Sequence, residues 1–246
     1  LENNLLKILK RDNDTGQYVA LKTYENIYGY DISLDGKTVL VRFREDEISF
    51  KILRWNGRRF VESGTCENIW KYNISSNGKT ICVWFHDDDL SKILRWNGSL
   101  FVELPLMNVC DCGFSSDGKT VSVEFNDDSL KILRWNVDEF VEHSITYENV
   151  SLGGCKISED GKTVSVRYDF NLDTLAYSLK ILRWNEEQGR FVEHPVIYEN
   201  VDGCKISKDG KTVWVWFLDY SLKIFRWNEK ENKFVEHPVM YENVSL

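Results

Sequence analysis

The sequence predicts an all-β fold made of repeated four-stranded antiparallel sheets. Three observations point to it. The apolar stretches are crowded with Val, Ile, Thr, Phe, Tyr and Trp, and nine Trp occur in 246 residues. Glycine turns break the chain roughly every 20 residues, too often for helices. One pattern recurs five times: YDISLDGKTVLVRF (30–43), YNISSNGKTICVWF (72–85), CGFSSDGKTVSVEF (112–125), CKISEDGKTVSVRY (155–168) and CKISKDGKTVWVWF (204–217).

Each copy reads as four strands. Strand a is the short run ending at Ile32, Ile74, Phe114, Ile157 or Ile206. An Asp-Gly or Asn-Gly pair then closes a tight hairpin, because Gly accepts positive φ without steric cost. Strand b is Thr-Val-x-Val-x-aromatic, with apolar residues such as Val39, Val41 and Phe43 on one face. An acidic turn leads to strand c, which reads FKILRWN, SKILRWN, LKILRWN, LKILRWN and LKIFRWN in the five copies. It is apolar on both faces, as expected of a strand packed between neighbouring sheets. Strand d is the FVE run starting at Phe60, Phe101, Phe140, Phe191 and Phe234, short and polar-flanked like an outer edge.

The turn glycines Gly36, Gly78, Gly118, Gly161 and Gly210 lie 42, 40, 43 and 49 residues apart, the length of a propeller blade. Residues 4–27 lack strands a and b; their LKILKRD run matches strand c and their YVA run strand d. The expectation is a single domain over 1–246, with a half blade at 4–27 and blades near 28–68, 69–109, 110–150, 151–201 and 202–246. A six-bladed arrangement is favoured; a five-bladed ring and a segment of a larger propeller are the alternatives. The chain starts at Leu1 without Met and in mid-blade, which favours a piece of a longer protein.

The order strand, Gly-Lys turn, strand, acidic turn, Lys-Ile-Leu-Arg-Trp strand resembles the WD-repeat β-propellers over nearly the whole chain. That family closes strand c with Trp-Asp; here the pair is Trp-Asn, at 55–56, 96–97, 135–136, 184–185 and 227–228. The family's Asp before strand c is matched by Asp127 and Asp219, with Glu47 and Asp88 less well placed and Ala176 replacing it in the fourth copy. The resemblance implies a rigid platform that binds a peptide or protein segment across its top and central channel.

The formal net charge is −8, and the repeat assigns it to faces. The d–a linkers carry Glu25, Glu67, Glu148, Glu199 and Glu242, and the b–c turns add Glu45, Asp46, Glu47, Asp87, Asp88, Asp89, Asp127, Asp128, Asp169, Asp173 and Asp219. Both kinds of connection share one end of each sheet, the top. The other end carries Lys37, Lys79, Lys119, Lys162 and Lys211, with Arg58 and Arg59. An acidic top suits a basic partner and disfavours nucleic acid, whose phosphates demand a basic footprint. A solvated, solubilising face is the plainer alternative.

Departures from the repeat mark candidate contacts. Trp84 and Trp216, beside Arg42, Glu124 and Arg167, sit near the top on the alternate face of strand b and are candidate anchors. Packing between sheets is the competing reading. The fourth b–c turn, DFNLDTLAY (169–177), is longer than the others and either grips a ligand or is a tolerated insertion. Cys110-Asp-Cys112 lacks zinc-ligand spacing, and Cys66, Cys82, Cys155 and Cys204 form no disulfide framework; buried thiols in a reducing, cytoplasmic setting are expected. His143, His194 and His237 recur after FVE as expected surface features. No nucleophile, metal or nucleotide motif is present, so no catalytic residue, cofactor or metal is assigned. No apolar run approaches membrane-spanning length and no signal peptide is visible. The expectation is a non-enzymatic scaffold for a protein or peptide, possessing no membrane or nucleic-acid role and monomeric unless its open blade edge pairs. An enzyme using top carboxylates and a lectin-like array are the alternatives.

Overall fold

The computed structural model describes residues 5–11, 14–44, 46–86, 89–171 and 176–238. Among them the regular structure is all β. A hairpin of β1 (Leu6–Arg11) and β2 (Tyr18–Tyr24) comes first. Five four-stranded antiparallel blades follow, each in the order a–b–c–d; blades 1 to 3 are separate sheets, and blades 4 and 5 are joined in one eight-stranded sheet. Blade 1 is β3 (Ile27–Ile32), β4 (Thr38–Phe43), β5 (Asp46–Trp55) and β6 (Phe60–Cys66). Blade 2 is β7 (Ile69–Ile74), β8 (Thr80–Phe85), β9 (Leu90–Trp96) and β10 (Phe101–Met107). Blade 3 is β11 (Val109–Phe114), β12 (Thr120–Phe125), β13 (Leu130–Asn136) and β14 (Glu139–Glu142). Blade 4 is β15 (Val150–Ile157), β16 (Thr163–Asn171), β17 (Ala176–Asn185) and β18 (Arg190–Glu193). Blade 5 is β19 (Tyr198–Ile206), β20 (Thr212–Phe217), β21 (Leu222–Asn228) and β22 (Lys233–Glu236). No helix among the described residues is long and apolar enough to cross a membrane.

The chain divides into two compact units, Leu1–Met107 and Asn108–Leu246. The first holds the hairpin with blades 1 and 2, the second blades 3 to 5. Within each, the core lies between successive sheets. In the first unit Ile8 packs on Val39, Val41 and Leu53, and Leu40, Phe50 and Ile52 pack on Ile81, Val83 and Leu94. In the second, Leu130 and Ile132 meet Val164, Val166 and Leu182, and Leu179 and Ile181 meet Val213, Val215 and Phe225. Within each unit the rule is constant: strands b and c of one sheet face the preceding sheet's strand c. That is why strand c is apolar on both faces. Each such side chain, fully buried, contributes about 1.5–3 kcal/mol.

The a–b turn folds the same way in every blade. In blade 1 the Ser33 amide donates to the Thr38 carbonyl, the Thr38 amide to Ser33 Oγ, and the Lys37 amide to Asp35 Oδ1. Equivalent bonds join Ser115, Asp117, Lys119 and Thr120, and Ser158, Asp160, Lys162 and Thr163. The motif Ser-x-Asp/Asn-Gly-Lys-Thr is thus a self-satisfied turn, with its Gly at positive φ. At the c–d turn the Asn of Trp-Asn does similar work. Asn56 Oδ1 accepts the Arg58 and Arg59 amides, and Asn97 Oδ1 those of Ser99 and Leu100.

Candidate functional site

The two ends of the sheets differ in chemistry. At the a–b turn end, the Arg of strand c joins one sheet to the next. Arg134 Nη1 donates to Thr120 Oγ1 in its own blade (2.5 Å) and to the Gly161 carbonyl of the next (2.7 Å), with its guanidinium 4.6 Å from the Trp184 ring centroid. Arg183 repeats this with Thr163 (2.6 Å), Gly210 (2.9 Å) and Trp227 (5.2 Å). Arg54 bonds Thr38 and the Gly78 carbonyl and lies over Trp96. Burial lowers the pKa of all three, and nearby aspartates oppose it. Each Trp also meets the first aromatic of strand d, as in Trp135–Phe140 at 5.1 Å and Trp227–Phe234 at 5.2 Å. Strand c therefore owes its Arg-Trp pair to blade junctions. The recurrence of both residues in all five copies was the available signal.

The other end, where d–a linkers meet b–c turns, is the candidate binding surface. Each linker Asn sits in the left-handed region, from Asn26 (φ 58°) to Asn200 (φ 57°). Its carbonyl accepts an amide from the b–c turn: Arg44 to Asn26, His86 to Asn68, Asn126 to Asn108, Asp169 to Asn149 and Leu218 to Asn200. Asn tolerates this conformation better than other non-glycine residues. The device fixes the glutamate beside it. Glu25, Glu67, Glu148 and Glu199 are all exposed, and none forms an ion pair among the described residues. Glu242, Glu45, Asp87, Asp88 and Asp173 lie outside the described residues, as do the side chains of Asp46 and Glu47. Asp89, Asp127, Asp128, Asp169 and Asp219 are exposed. Asp127 and Asp219 accept hydrogen bonds from Ser129 and Ser221, which hold their carboxyls below the usual range.

In the second unit these residues border an open groove of about 680 Å³ lined by Asp128, Asn149, Val150, Asp169, Phe170 and Tyr177. The longer fourth b–c turn forms one wall. Strands β16 and β17 extend, Asn171 pairs with Ala176, and the Phe170 and Tyr177 rings stand 4.7 Å apart. Tyr177 also pairs with Val201 of β19, which merges blades 4 and 5 into one sheet.

The five candidate anchors occupy the following places. Trp84 is 2% exposed and carries the Lys71 ammonium 4.4 Å from its ring centroid. Glu124 is 7% exposed and accepts the Gly153 amide at 3.0 Å. Arg42 lies 4.6 Å over Tyr72 of the next blade. Arg167 donates to the Asp202 carbonyl (3.1 Å) and lies 5.0 Å over Tyr177. These four make contacts within or between neighbouring sheets. Trp216 is half-buried in β20.

The histidines depart from the sequence expectation of surface residues. His143 is buried and stacks on Phe191 at 6.1 Å, and half-buried His194 stacks on Tyr198 at 5.9 Å. They face the next blade, where the chain turns inward after FVE. Burial lowers the pKa of both. The six cysteines form no disulfide, and burial pushes the Cys66 thiol up to about 12, so it is no nucleophile near neutrality. No group of three or more His, Cys, Asp or Glu among the described residues could hold a metal ion.

No family model matches the chain, and no curated protein does. Solved structures are similar to it at low identity. Hsv2 from Kluyvelomyces marxianus has a TM-score of 0.46 and 11% identity, covering 95% of this chain and 77% of that one. Hsv2 from Kluyveromyces lactis has 0.45 and 15%, covering 86% and 62%. Hydrazine synthase from Kuenenia stuttgartiensis has 0.41 and 15%, covering 87% and 66%.

Proposed function

We propose that the chain is a non-enzymatic interaction module that takes a basic peptide or protein segment at the linker end of its sheets. One observation carries this reading: Glu25, Glu67, Glu148 and Glu199 sit beside a repeated backbone device, exposed and without an ion pair among the described residues. Several other glutamates have cations. Lys162 pairs with Glu186 (2.8 Å), Lys211 with Glu229 (2.7 Å), Lys92 with Glu103 (2.7 Å) and Lys180 with Glu193 (3.2 Å). Among the described residues these linker glutamates carry no such cation, and the negative potential they leave steers a basic partner. The groove beside Asp128 and Asp169 adds two aromatic rings on which a Lys or Arg stem can lie. Acid catalysis would want a carboxyl raised toward neutrality; Asp127 and Asp219 shift the other way. In this reading the chain needs no cofactor or metal and binds no nucleic acid.

The test compares lysine-rich and glutamate-rich peptides of equal length at low ionic strength. The lysine-rich peptide should bind, and Glu148→Lys with Glu199→Lys should weaken it at least tenfold, about 1.4 kcal/mol. Equal binding of both peptides removes the proposal. A turnover abolished by Asp128→Asn or Asp169→Asn in a folded chain replaces it with an enzyme.

A further inference from the structure

We propose that Asn97 and its counterpart Asn56 are sites of self-modification: each side chain closes on the next glycine to form a succinimide, which water opens to aspartate or isoaspartate. The reaction belongs to the c–d turns of the first unit and involves neither the acidic end nor the groove.

The chain has three Asn-Gly pairs, at 56–57, 77–78 and 97–98. Glycine has no side chain to obstruct the approach of its nitrogen to the asparagine amide carbon, so the three share one intrinsic reactivity. The structure separates them. Asn97 and Asn56 are exposed, and so are the glycines that follow. Nothing lies within 4 Å of a Cβ built on Gly57 or Gly98, so each turn has room to change shape. Neither glycine amide has a hydrogen-bond partner among the described residues. Each nitrogen can therefore lose its proton to hydroxide and attack. The target carbon is polarised. Asn97 Oδ1 accepts the amides of Ser99 (3.0 Å) and Leu100 (3.1 Å) and the Ser99 hydroxyl (3.1 Å). Asn56 Oδ1 accepts the amides of Arg58 (3.0 Å) and Arg59 (2.9 Å). Donors that satisfy the amide oxygen at rest are already placed for the oxyanion that forms as Cγ becomes tetrahedral. The third donor puts Asn97 ahead of Asn56.

Asn77 occupies the a–b turn of blade 2, where the other blades have Asp35, Asp117, Asp160 and Asp209. Its Oδ1 is also supplied with donors, the Lys79 amide (2.9 Å) and the Ser75 hydroxyl (3.1 Å). Its glycine makes the difference. The Gly78 amide donates to the Ser75 carbonyl (2.8 Å), and the Gly78 carbonyl accepts from Thr38 (3.0 Å) and Arg54 (2.9 Å). Gly78 is buried, and a methyl group there would collide with Thr38 and Ser33 of blade 1. Its nitrogen is not released unless the junction of blades 1 and 2 opens. The remaining asparagines that close strand c, Asn136, Asn185 and Asn228, precede Val137, Glu186 and Glu229, whose side chains crowd the attack.

The step needs no reagent but water. The Gly98 nitrogen bonds to Asn97 Cγ, the Cγ–Nδ2 bond breaks, and ammonia leaves. Water opening the ring at Cγ gives aspartate. Water opening it at the main-chain carbonyl gives isoaspartate, whose main chain runs through Cβ and is one atom longer. The longer product falls in the turn between Trp96 and Phe101, which pair across β9 and β10 with their rings 5.2 Å apart. Trp96 also receives the Arg54 guanidinium of blade 1 at 5.1 Å. Isoaspartate at this turn thus loosens the outer strand of blade 2.

The test holds the whole chain at mildly alkaline pH, in buffer and in urea. Each Asn-Gly peptide is followed by mass spectrometry after digestion, with the isomers separated by chromatography. In buffer, Asn97 and Asn56 should convert at least about tenfold faster than Asn77. In urea, the Asn77 rate should rise toward theirs. Aged chain should show faster amide exchange in β10 than fresh chain. Gly98→Ala should slow Asn97 while leaving Asn56 unchanged and Asn77 protected in the same molecule, the latter reporting an intact fold. Conversion of Asn77 in buffer at the rate of Asn97 overturns the proposal. So does an Asn97 that converts only in urea or in neither condition, and so does an Asn97 rate unmoved by Gly98→Ala.

Discussion

At the scale of single residues, two glycines of one turn should respond differently to a methyl group. Gly36 and Gly161 both have φ of 67°. Alanine in the left-handed region costs about 1–2 kcal/mol at either position. At Gly161 the new Cβ would also lie 2.9 Å from Ser115 Cβ and Thr120 Oγ1, and overpacking adds about 1–3 kcal/mol. Gly161→Ala should therefore lower the urea midpoint markedly more than Gly36→Ala; equal losses would mean the blade junction is loose. His143 gives a pH test. Its folded pKa lies below the ordinary imidazole value of 6.5 because burial disfavours the imidazolium. The unfolded chain then binds the proton more readily, so stability is complete above pH 6.5 and falls as pH drops below it. Carboxylates with lowered pKa, such as Asp209 and Glu229, lose their contribution only in a more acid window. His143→Gln should flatten the stability curve between about pH 7 and 5; an unchanged slope would assign it elsewhere, with His194 next in line. Sequence alone placed these histidines on the surface, because FVEH reads as the end of an exposed strand. Their burial depends on where the next blade's Phe191 and Phe234 stand, which local pattern does not encode.

At the scale of elements, the strands were legible because their period and turn chemistry are local. Strands b and c and all five Gly turns occur where alternation and Asp/Asn-Gly place them. The linker Asn and the strand c Arg were legible only as recurrences, since their partners lie in another turn or another sheet. The fourth b–c turn shows the limit. Its length was evident, but its continuation of β16 and β17 and its bond to β19 are tertiary. Phe170 is exposed and packs on Tyr177. Phe170→Ser should therefore cost no more than about 1 kcal/mol of stability, the scale of one aromatic pair. If the groove seats a basic side chain, the same change should weaken peptide capture severalfold. A large stability loss would make this hairpin structural; full retention of capture would move the peptide off the groove.

At the scale of the whole molecule, near-identical sheets within each unit are stabilised by what each receives from its neighbours. The strand b residues Leu40, Cys82, Ser122 and Ser165 are buried, while Trp214 of blade 5 is half-exposed. In strand a, Tyr30 of blade 1 is exposed where Cys112 and Cys204 are buried, and Ile32 is exposed where Phe114 and Ile206 are half-buried. Intrinsic strand propensity differs little among copies that read KTVLVRF, KTVSVEF and KTVWVWF. Differences in local stability should then follow neighbour contacts rather than sequence. Opening free energies measured by native-state amide exchange should be highest in β8, β12 and β16 and lower in β3, β20 and β21. Uniform protection across all six strands would mean that the sheets open together. The exposed residues of blades 1 and 5 would then mark no local weakness, and the neighbour contacts would not set the order of opening.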